Sequence, residues 1–322
     1  MAESLQSVWA QLKLRLLRFP STRRFFRAIN QEVVVRLTDK RRFAVYRYMK
    51  ALSRVSALIQ TEGLSGGEFA ENGDFFIRRG GGTLLFYNHS DARYTFGDGQ
   101  SLEYVADARD EGLFEFFREV LTSGAVYLDV GANNGFYYAI RIARAFPHCR
   151  VFAFEPDPKI LHHLEKNVRA NGVSQVTVIR RGLLDLKGAV KMTESFGASN
   201  FILDGTTAKS TAIEISVERL DDFVAEEGLE RVDLVKVDIE GSETRFLRGA
   251  LDTLRRHRPY LMMEVRDEFL ARAGSGVSEL LEVTIRAGYR RYRITGTNDW
   301  MLVHESKVKE FEPHRRAWIE VS

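Results

Sequence analysis

One cysteine, Cys149, occurs in 322 residues. A single thiol excludes an internal disulfide and any metal cluster built on cysteine, and it fits a reducing, cytoplasmic setting. No run of eighteen apolar residues occurs, so no segment is expected to span a bilayer. The opening stretch, MAESLQSVWAQLKLRLLRF, has an early acid and lacks an apolar h-region, so it is not expected to act as a secretory signal. Excess charge of one sign is scarce as well. With 47 Lys and Arg against 44 Asp and Glu, the formal charge is +3, and the chain as a whole is no polycation. What remains, 44% hydrophobic and 28% charged residues, is the composition of an ordinary globular chain with room for one large α/β domain and an extension.

The most informative stretch is Ala125 to Pro156, AVYLDVGANNGFYYAIRIARAFPHCRVFAFEP. A short apolar run ends in Asp129, and a glycine loop follows, Gly131-Ala132-Asn133-Asn134-Gly135. A helical pattern covers Phe136 to Ala145, and a second apolar run, Val151 to Phe154, ends in Glu155. This predicts strand, tight turn, helix and strand, with a carboxylate closing each strand. In an open parallel sheet both strand ends face one crevice, where ligands bind. Gly131 and Gly135 are expected where backbone turns sharply and approaches a ligand. Glu155, 24 residues past Gly131, stands where an acid can accept both hydroxyls of an adenosine ribose. The loop reads D-x-G-x-x-x-G rather than G-x-G-x-x-G. Asp129 would repel a pyrophosphate but would tolerate a cationic sulfonium with an amino-acid tail, which favours S-adenosylmethionine over NAD. The competing reading is an acid-capped turn with no ligand.

Before this stretch, residues 1–62 read as a basic helical extension. Residues 11–54 hold thirteen Lys or Arg against Glu32 and Asp39. Its basic face is expected to be solvated or to meet an anionic membrane, and its apolar stripes allow a homodimer. Residues 63–106 read as a small antiparallel β element with glycine turns, and His89 within it as surface decoration. Helices are expected over 107–121 and 158–170, and a strand over Val176 to Ile179, followed by Asp185 at the crevice edge where an adenine could lie. Two β runs, Ala189 to Met192 and Thr211 to Val217, flank a polar loop, Glu194 to Lys209, which is assigned to substrate capture. A short helix is expected at Leu220 to Glu227. DLVKVDIE, Asp233 to Glu240, reads as a core strand with Leu234, Lys236, Asp238 and Glu240 on one face. Three ionisable groups on one face of a central strand are costly unless paired or functional. A helix over Glu243 to Arg256, a strand over Tyr260 to Val265, a helix over 277–287 and strands at Tyr289 to Thr295 and Trp300 to Val303 complete a domain over 107–304. Residues 305–322 read as a tail with no chemistry.

LDVGANNGFYY, FAFEPDP, VERLDDF, LVKVDIEGSETRFLRGA and PYLMMEV, in this order and at this spacing, resemble the FkbM-type methyltransferases over roughly residues 105–265. The resemblance implies an α/β fold of the class I, Rossmann-like kind, with a seven-stranded, mostly parallel sheet whose last strand is antiparallel. It implies S-adenosylmethionine as cofactor and transfer to oxygen, often a hydroxyl of a sugar, glycan or secondary metabolite. By that analogy Asp129, Gly131, Ala132, Asn133, Gly135, Glu155, Pro156 and Asp185 are cofactor contacts. Lys236, Asp238, Glu240 and Gly241 face the acceptor. Asn134 departs from the family's usual aliphatic residue, and its side chain is expected to face solvent.

A hydroxyl acceptor must lose its proton as the new bond forms. Asp238 or Glu240 is the expected base, with Lys236 holding the charges in register. The alternative is a Lys236–Asp238 pair that only fixes the strand end. No dedicated metal site is expected, although oxygen ligands at Asp238 and Glu240 would suit magnesium. The rival readings are an RNA methyltransferase, kept open by the basic extension, and a non-catalytic nucleotide-binding or scaffolding protein. Nucleic acid is disfavoured as acceptor. Ile-Glu-Gly stands where base amino-group methylation typically uses Asn-Pro-Pro-aromatic, and Cys149 precedes the second strand, on the wrong side for a cytosine nucleophile.

Overall fold

The computed structural model describes residues 64–69, 75–79, 84–87, 109–193, 200–203, 212–294 and 297–321. The basic helical extension, His89, and most of the 194–209 loop therefore lie outside the described residues. The chain divides into two compact units, Met1–Asp107 and Ala108–Ser322. In the first, β1 (Leu64–Phe69), β2 (Phe75–Arg79) and β3 (Leu84–Tyr87) form an antiparallel three-stranded sheet.

The second unit runs α1 (Arg109–Val120), β4 (Val126–Val130), α2 (Ala139–Ala145), β5 (Arg150–Phe154), α3 (Pro158–Ala170), β6 (Val176–Ile179), β7 (Gly182–Leu183), β8 (Gly188–Thr193), β9 (Ala212–Glu218) and α4 (Leu220–Glu226). It continues with β10 (Leu234–Val237), α5 (Glu243–Arg248), α6 (Leu251–His257), β11 (Tyr260–Glu264), α7 (Asp267–Arg272), α8 (Val277–Arg286), β12 (Tyr289–Ile294), β13 (Asp299–His304), α9 (Val308–Phe311) and β14 (Trp318–Val321).

Its main sheet has the order β14-β12-β13-β11-β10-β4-β5-β6. The five strands from β11 to β6 are mutually parallel, and β13 inserts antiparallel between β11 and β12. This is the class I, Rossmann-like arrangement, with eight strands where seven were expected. The extra strand is β14, which pairs antiparallel with β12, Arg291 opposite Val321. Trp318–Val321, within the stretch read from sequence as a tail, thus extend the sheet edge. A separate sheet, β7-β9-β8, flanks the main one.

Alternation along the strands sorts side chains into two cores. Val126, Leu128, Val130, Val235, Val237, Leu261 and Met263 pack with residues of α4 to α8. Tyr127, Val151, Ala153, Leu234, Tyr260 and Met262 pack with α1, α2, α3 and α9. Asp129 and Lys236 are register partners on β4 and β10, so they share the second face and meet at its carboxyl end.

Two expected elements end early for tertiary reasons. The helix read over Glu243 to Arg256 is broken at Gly249-Ala250, where the Gly249 carbonyl accepts from Asp221 N at 3.1 Å and Asp221 Oδ1 accepts from Thr253 N at 2.8 Å in the next helix; lacking a Cβ, Gly249 can lie against the carbonyl of Leu184. The strand read to Glu240 stops at Val237, and Glu240 takes a left-handed conformation, φ 56°. Glu240 therefore does not continue the face of Leu234 and Lys236; it is presented by a turn.

Candidate active site

The loop after β4 turns at Gly131 (φ 80°), Asn133 (φ 51°) and Gly135 (φ 74°). Positive φ at the two glycines is the conformation that side chains resist. The close approach there is made by protein. A Cβ on Gly131 would overlap the backbone oxygen of Asp238, and one on Gly135 would overlap Leu164 Cδ1. The amides of Gly131 and Ala132 donate to the carbonyl of Phe154, at 3.1 and 2.9 Å. The loop is thereby pressed between the ends of β5 and β10, which draws Asp129, Glu155 and Asp238 to one edge. Asn134 corrects an expectation. It is buried rather than facing solvent, its Oδ1 accepts from Phe136 N at 3.0 Å, and its carbonyl accepts from Asn167 Nδ2 at 2.8 Å.

Asp129 is buried, and its Oδ2 accepts from the Ala139 amide at 2.9 Å, the first residue of α2. That is a favourable place for an anion, since helix N-termini offer unpaired donors. The helix starts three residues later than its apolar pattern suggested. Burial pushes the Asp129 carboxyl up to about 6, against the pull of Lys236 and the Ala139 amide. Its Oδ1 is buried with no hydrogen-bond partner among the described residues. Glu155 is buried too. Its Oε2 accepts from Asn133 N at 3.0 Å and its Oε1 from Asp157 N at 2.9 Å, so it clips the glycine loop to the start of α3. Burial raises it to about 7, with the two amides opposing. Pro156 lies next to the position of Gly182. Asp185 is engaged differently: its Oδ1 accepts from Arg245 Nε and Nη2 at 2.9 and 2.7 Å, which commits that carboxylate to α5.

Across the edge, Lys236 Nζ lies 3.0 Å from Asp238 Oδ2 and 5.4 Å from the centroid of the Tyr138 ring. Burial works against the ammonium, but Asp238 and Asp129 outweigh it and raise its affinity for the proton. The Asp238 side chain is 36% exposed, whereas that of Glu240 is 15% exposed. Glu240 is pushed up to about 8 by burial, then by Asp238 and Glu264, with Arg272 and Arg266 opposing. Its turn is held by Glu243, whose Oε1 accepts from Ile239 N and Gly241 N, both at 3.2 Å. Glu264, at the end of β11, accepts from Arg266 Nε and Nη2 at 3.0 and 2.8 Å and is raised to about 7, chiefly by burial. Among the described residues, no group of three or more His, Cys, Asp and Glu side chains could hold a metal ion.

Raised carboxyls have a consequence for stability. Glu155, Glu243 and Glu264 titrate near 7 and Glu240 near 8 in the fold, against an ordinary value of 4.5. Between these limits the folded state binds more protons than the unfolded one, so stability falls as pH rises. Thermal melts of the free protein should show Tm decreasing from pH 5 to pH 8 and levelling above. A Tm that climbs over this window would contradict the burial of these groups.

Glu243 and Arg272 were not singled out from sequence. Glu243 alone left a signal there, an acid opening a helix after Gly241-Ser242.

Comparison with known proteins bears on this arrangement. The family described as the methyltransferase FkbM domain matches residues 129–291. The hexuronic acid methyltransferase AglP of Haloferax volcanii is 30% identical over 167 residues, covering 51% of this chain and 66% of that protein. The 2-O-methyltransferase NoeI of Sinorhizobium fredii is 27% identical over 161 residues, covering 45% of this chain and 65% of that protein. The AMB antimetabolite synthetase AmbE of Pseudomonas aeruginosa is 30% identical over 212 residues, which cover 52% of this chain but a tenth of AmbE. Among solved structures, a methyltransferase FkbM from Methylobacillus flagellatus aligns with a TM-score of 0.40 and 20% identity, covering 59% of this chain and 50% of that one. The family match spans half of the chain and contains the glycine loop, Glu155 and the Lys236–Glu240 segment, and on that ground the chain belongs to the FkbM methyltransferase family and is a methyltransferase.

Proposed function

We propose that this methyltransferase uses S-adenosylmethionine to methylate a hydroxyl oxygen of a sugar, glycan or secondary metabolite. The observation that carries the reading is the acidic carboxyl edge. Among the described residues Asp129 Oδ1 is buried without a hydrogen-bond partner, and burial holds both Glu155 and Asp129 above their ordinary values. A ligand that brings a cation and several donors relieves both conditions. Asp129 and Glu155 would hold such a cofactor, with the loop from Gly131 to Gly135 beneath it and Pro156 alongside. Arg245 holds Asp185 through Oδ1, so Asp185 would enter through Oδ2. When bound, the cofactor supplies a methyl group on an already activated sulfonium, so the protein's task is alignment and removal of the acceptor proton.

Of the two carboxylates at the end of β10, Asp238 is the more accessible and is ion-paired with Lys236, so it is assigned as the base. Glu240, held near 8, is largely protonated at neutral pH and can donate a hydrogen bond to the acceptor. Transfer to oxygen draws support from the name of one relative, a 2-O-methyltransferase, and a sugar acceptor from that of another, a hexuronic acid methyltransferase. The reading places the enzyme in the cytoplasm with a small-molecule or glycan acceptor and not a nucleic acid. Among the described residues, no helix is long and apolar enough to cross a membrane. An anionic membrane surface for the basic residues 11–54 and a homodimer remain part of the proposal.

Isothermal titration with S-adenosylmethionine tests the cofactor. Incubation of methyl-labelled cofactor with cell extract, followed by fractionation into glycan, lipid, RNA and protein, tests the acceptor. Label in a glycan or small-molecule fraction is expected. Label in RNA would replace the proposal with its nucleic-acid rival, and absence of binding would leave a non-catalytic protein.

A further inference from the structure

The connection between β8 and β9 touches both sides of the carboxyl edge through residues 200–203. Phe201 N donates to Thr193 Oγ1 at 3.0 Å, Thr193 N donates to the Phe201 carbonyl at 2.9 Å, and Leu203 N donates to the Lys191 carbonyl at 2.8 Å. These bonds lay the segment against β8. On the cofactor side, Asn200 Nδ2 donates to Asp157 Oδ2 at 2.9 Å, and the amide of Asp157 is one of the two that hold Glu155. On the acceptor side, the Phe201 ring centroid lies 3.8 Å from the guanidinium carbon of Arg272, which is also 4.5 Å from the Phe269 ring. The same guanidinium donates from Nη2 to the carbonyl of Glu240 at 2.9 Å. Glu240 is a non-glycine residue in the left-handed region, a conformation that persists only where its surroundings over-determine it. Arg272 on one side and Glu243 on the other do so.

We propose that Arg272 is a positioning residue that couples the Asn200–Leu203 segment to the turn presenting Asp238 and Glu240, so that an acceptor settling against Phe201 sets the placement of these two carboxylates. The proposal rests on the acceptor-side assignment of Asp238 and Glu240 made above. A planar guanidinium can stack flat on aromatic rings while donating in its plane, a geometry that a compact lysine ammonium does not reproduce.

Hydrogen exchange on the full chain, without ligand, tests the coupling. In Phe201→Ala, the amides of Ile239 and Gly241 should exchange roughly tenfold faster, while those of β4 and β5 keep their rates. Arg272→Lys should accelerate both Phe201–Leu203 and Ile239–Gly241. Phe201→Tyr, which keeps the ring, should restore slow exchange. Acceleration confined to residues 200–203 in Phe201→Ala, or no rescue by tyrosine, would overturn the proposal. Titration of the same samples with S-adenosylmethionine separates the two questions. A wild-type chain that binds no cofactor defeats the function proposed above, while the exchange rates still decide the coupling.

Discussion

Replacing Glu155 by alanine should lower the affinity for S-adenosylmethionine by ~100-fold or more, the equivalent of about 2.7 kcal/mol. The carboxylate is buried and both oxygens already accept backbone amides, from Asn133 in the glycine loop and from Asp157 ahead of α3. On the proposed reading, its removal takes away the acceptor for the ribose hydroxyls and frees the loop assigned beneath the cofactor. It also strands two donors, each costing roughly 1–3 kcal/mol if left unpaired. Part of the loss could therefore come from unfolding. Glu155→Gln separates the two effects. It keeps the volume and one acceptor, so it should fold with a lowered Tm, yet its amide group meets the second backbone donor with a donor of its own. Calorimetric titration and thermal melting of both variants make the measurement. A Glu155→Gln protein that binds the cofactor as tightly as wild type would remove Glu155 from the cofactor site.

Asp238→Asn should reduce kcat about 10²- to 10⁴-fold, the span usual for loss of a general base, with cofactor affinity changed by no more than a few-fold. The substitution is nearly isosteric, and the amide oxygen can still accept from Lys236 Nζ, which sits 3.0 Å from Oδ2. What disappears is the negative charge at the more exposed of the two carboxylates on this turn. Methyl transfer into the labelled acceptor fraction gives the rate, and titration gives the affinity. Undiminished turnover would move the role of base to Glu240, whose elevated value predicts a rate that rises through about pH 8. Loss of the fold would instead mark the Lys236–Asp238 pair as structural.

Local signals located most of the frame. The helix at 158–170 and the strand at 176–179 stand at the boundaries that periodicity and the Asn171-Gly172 stop indicated. The acids closing β4 and β5 were legible because strand ends in a parallel sheet share one edge. The misses share a cause, contacts between residues far apart in sequence. The helix breaks at Gly249, whose carbonyl accepts from the amide of Asp221, 28 positions earlier, a contact that no helix propensity records. Glu240 leaves the strand because Glu243 accepts from the amides of Ile239 and Gly241 and folds these residues into a turn, which Gly131, lacking a Cβ, lets lie close. Period-2 reading placed Asp238 and Glu240 as equivalent carboxylates, and the turn left Asp238 the more accessible and Glu240 the more enclosed. Arg272 lies on α7, a six-residue helix too short to show a period, and its partner Phe201 sits in a tract that reads as polar loop.

Cys149 is 1% exposed beneath Leu121, and its thiol is pushed up to about 11, chiefly by burial. A sulfhydryl so withdrawn forms little thiolate and reacts sluggishly with maleimides. The wild-type background to thiol-directed dyes is accordingly low, and a cysteine engineered at Leu203 or Arg266 would carry a fluorophore at one chosen place. The molecule can then be watched by fluorescence as it engages donor and acceptor, without first stripping it of native cysteine.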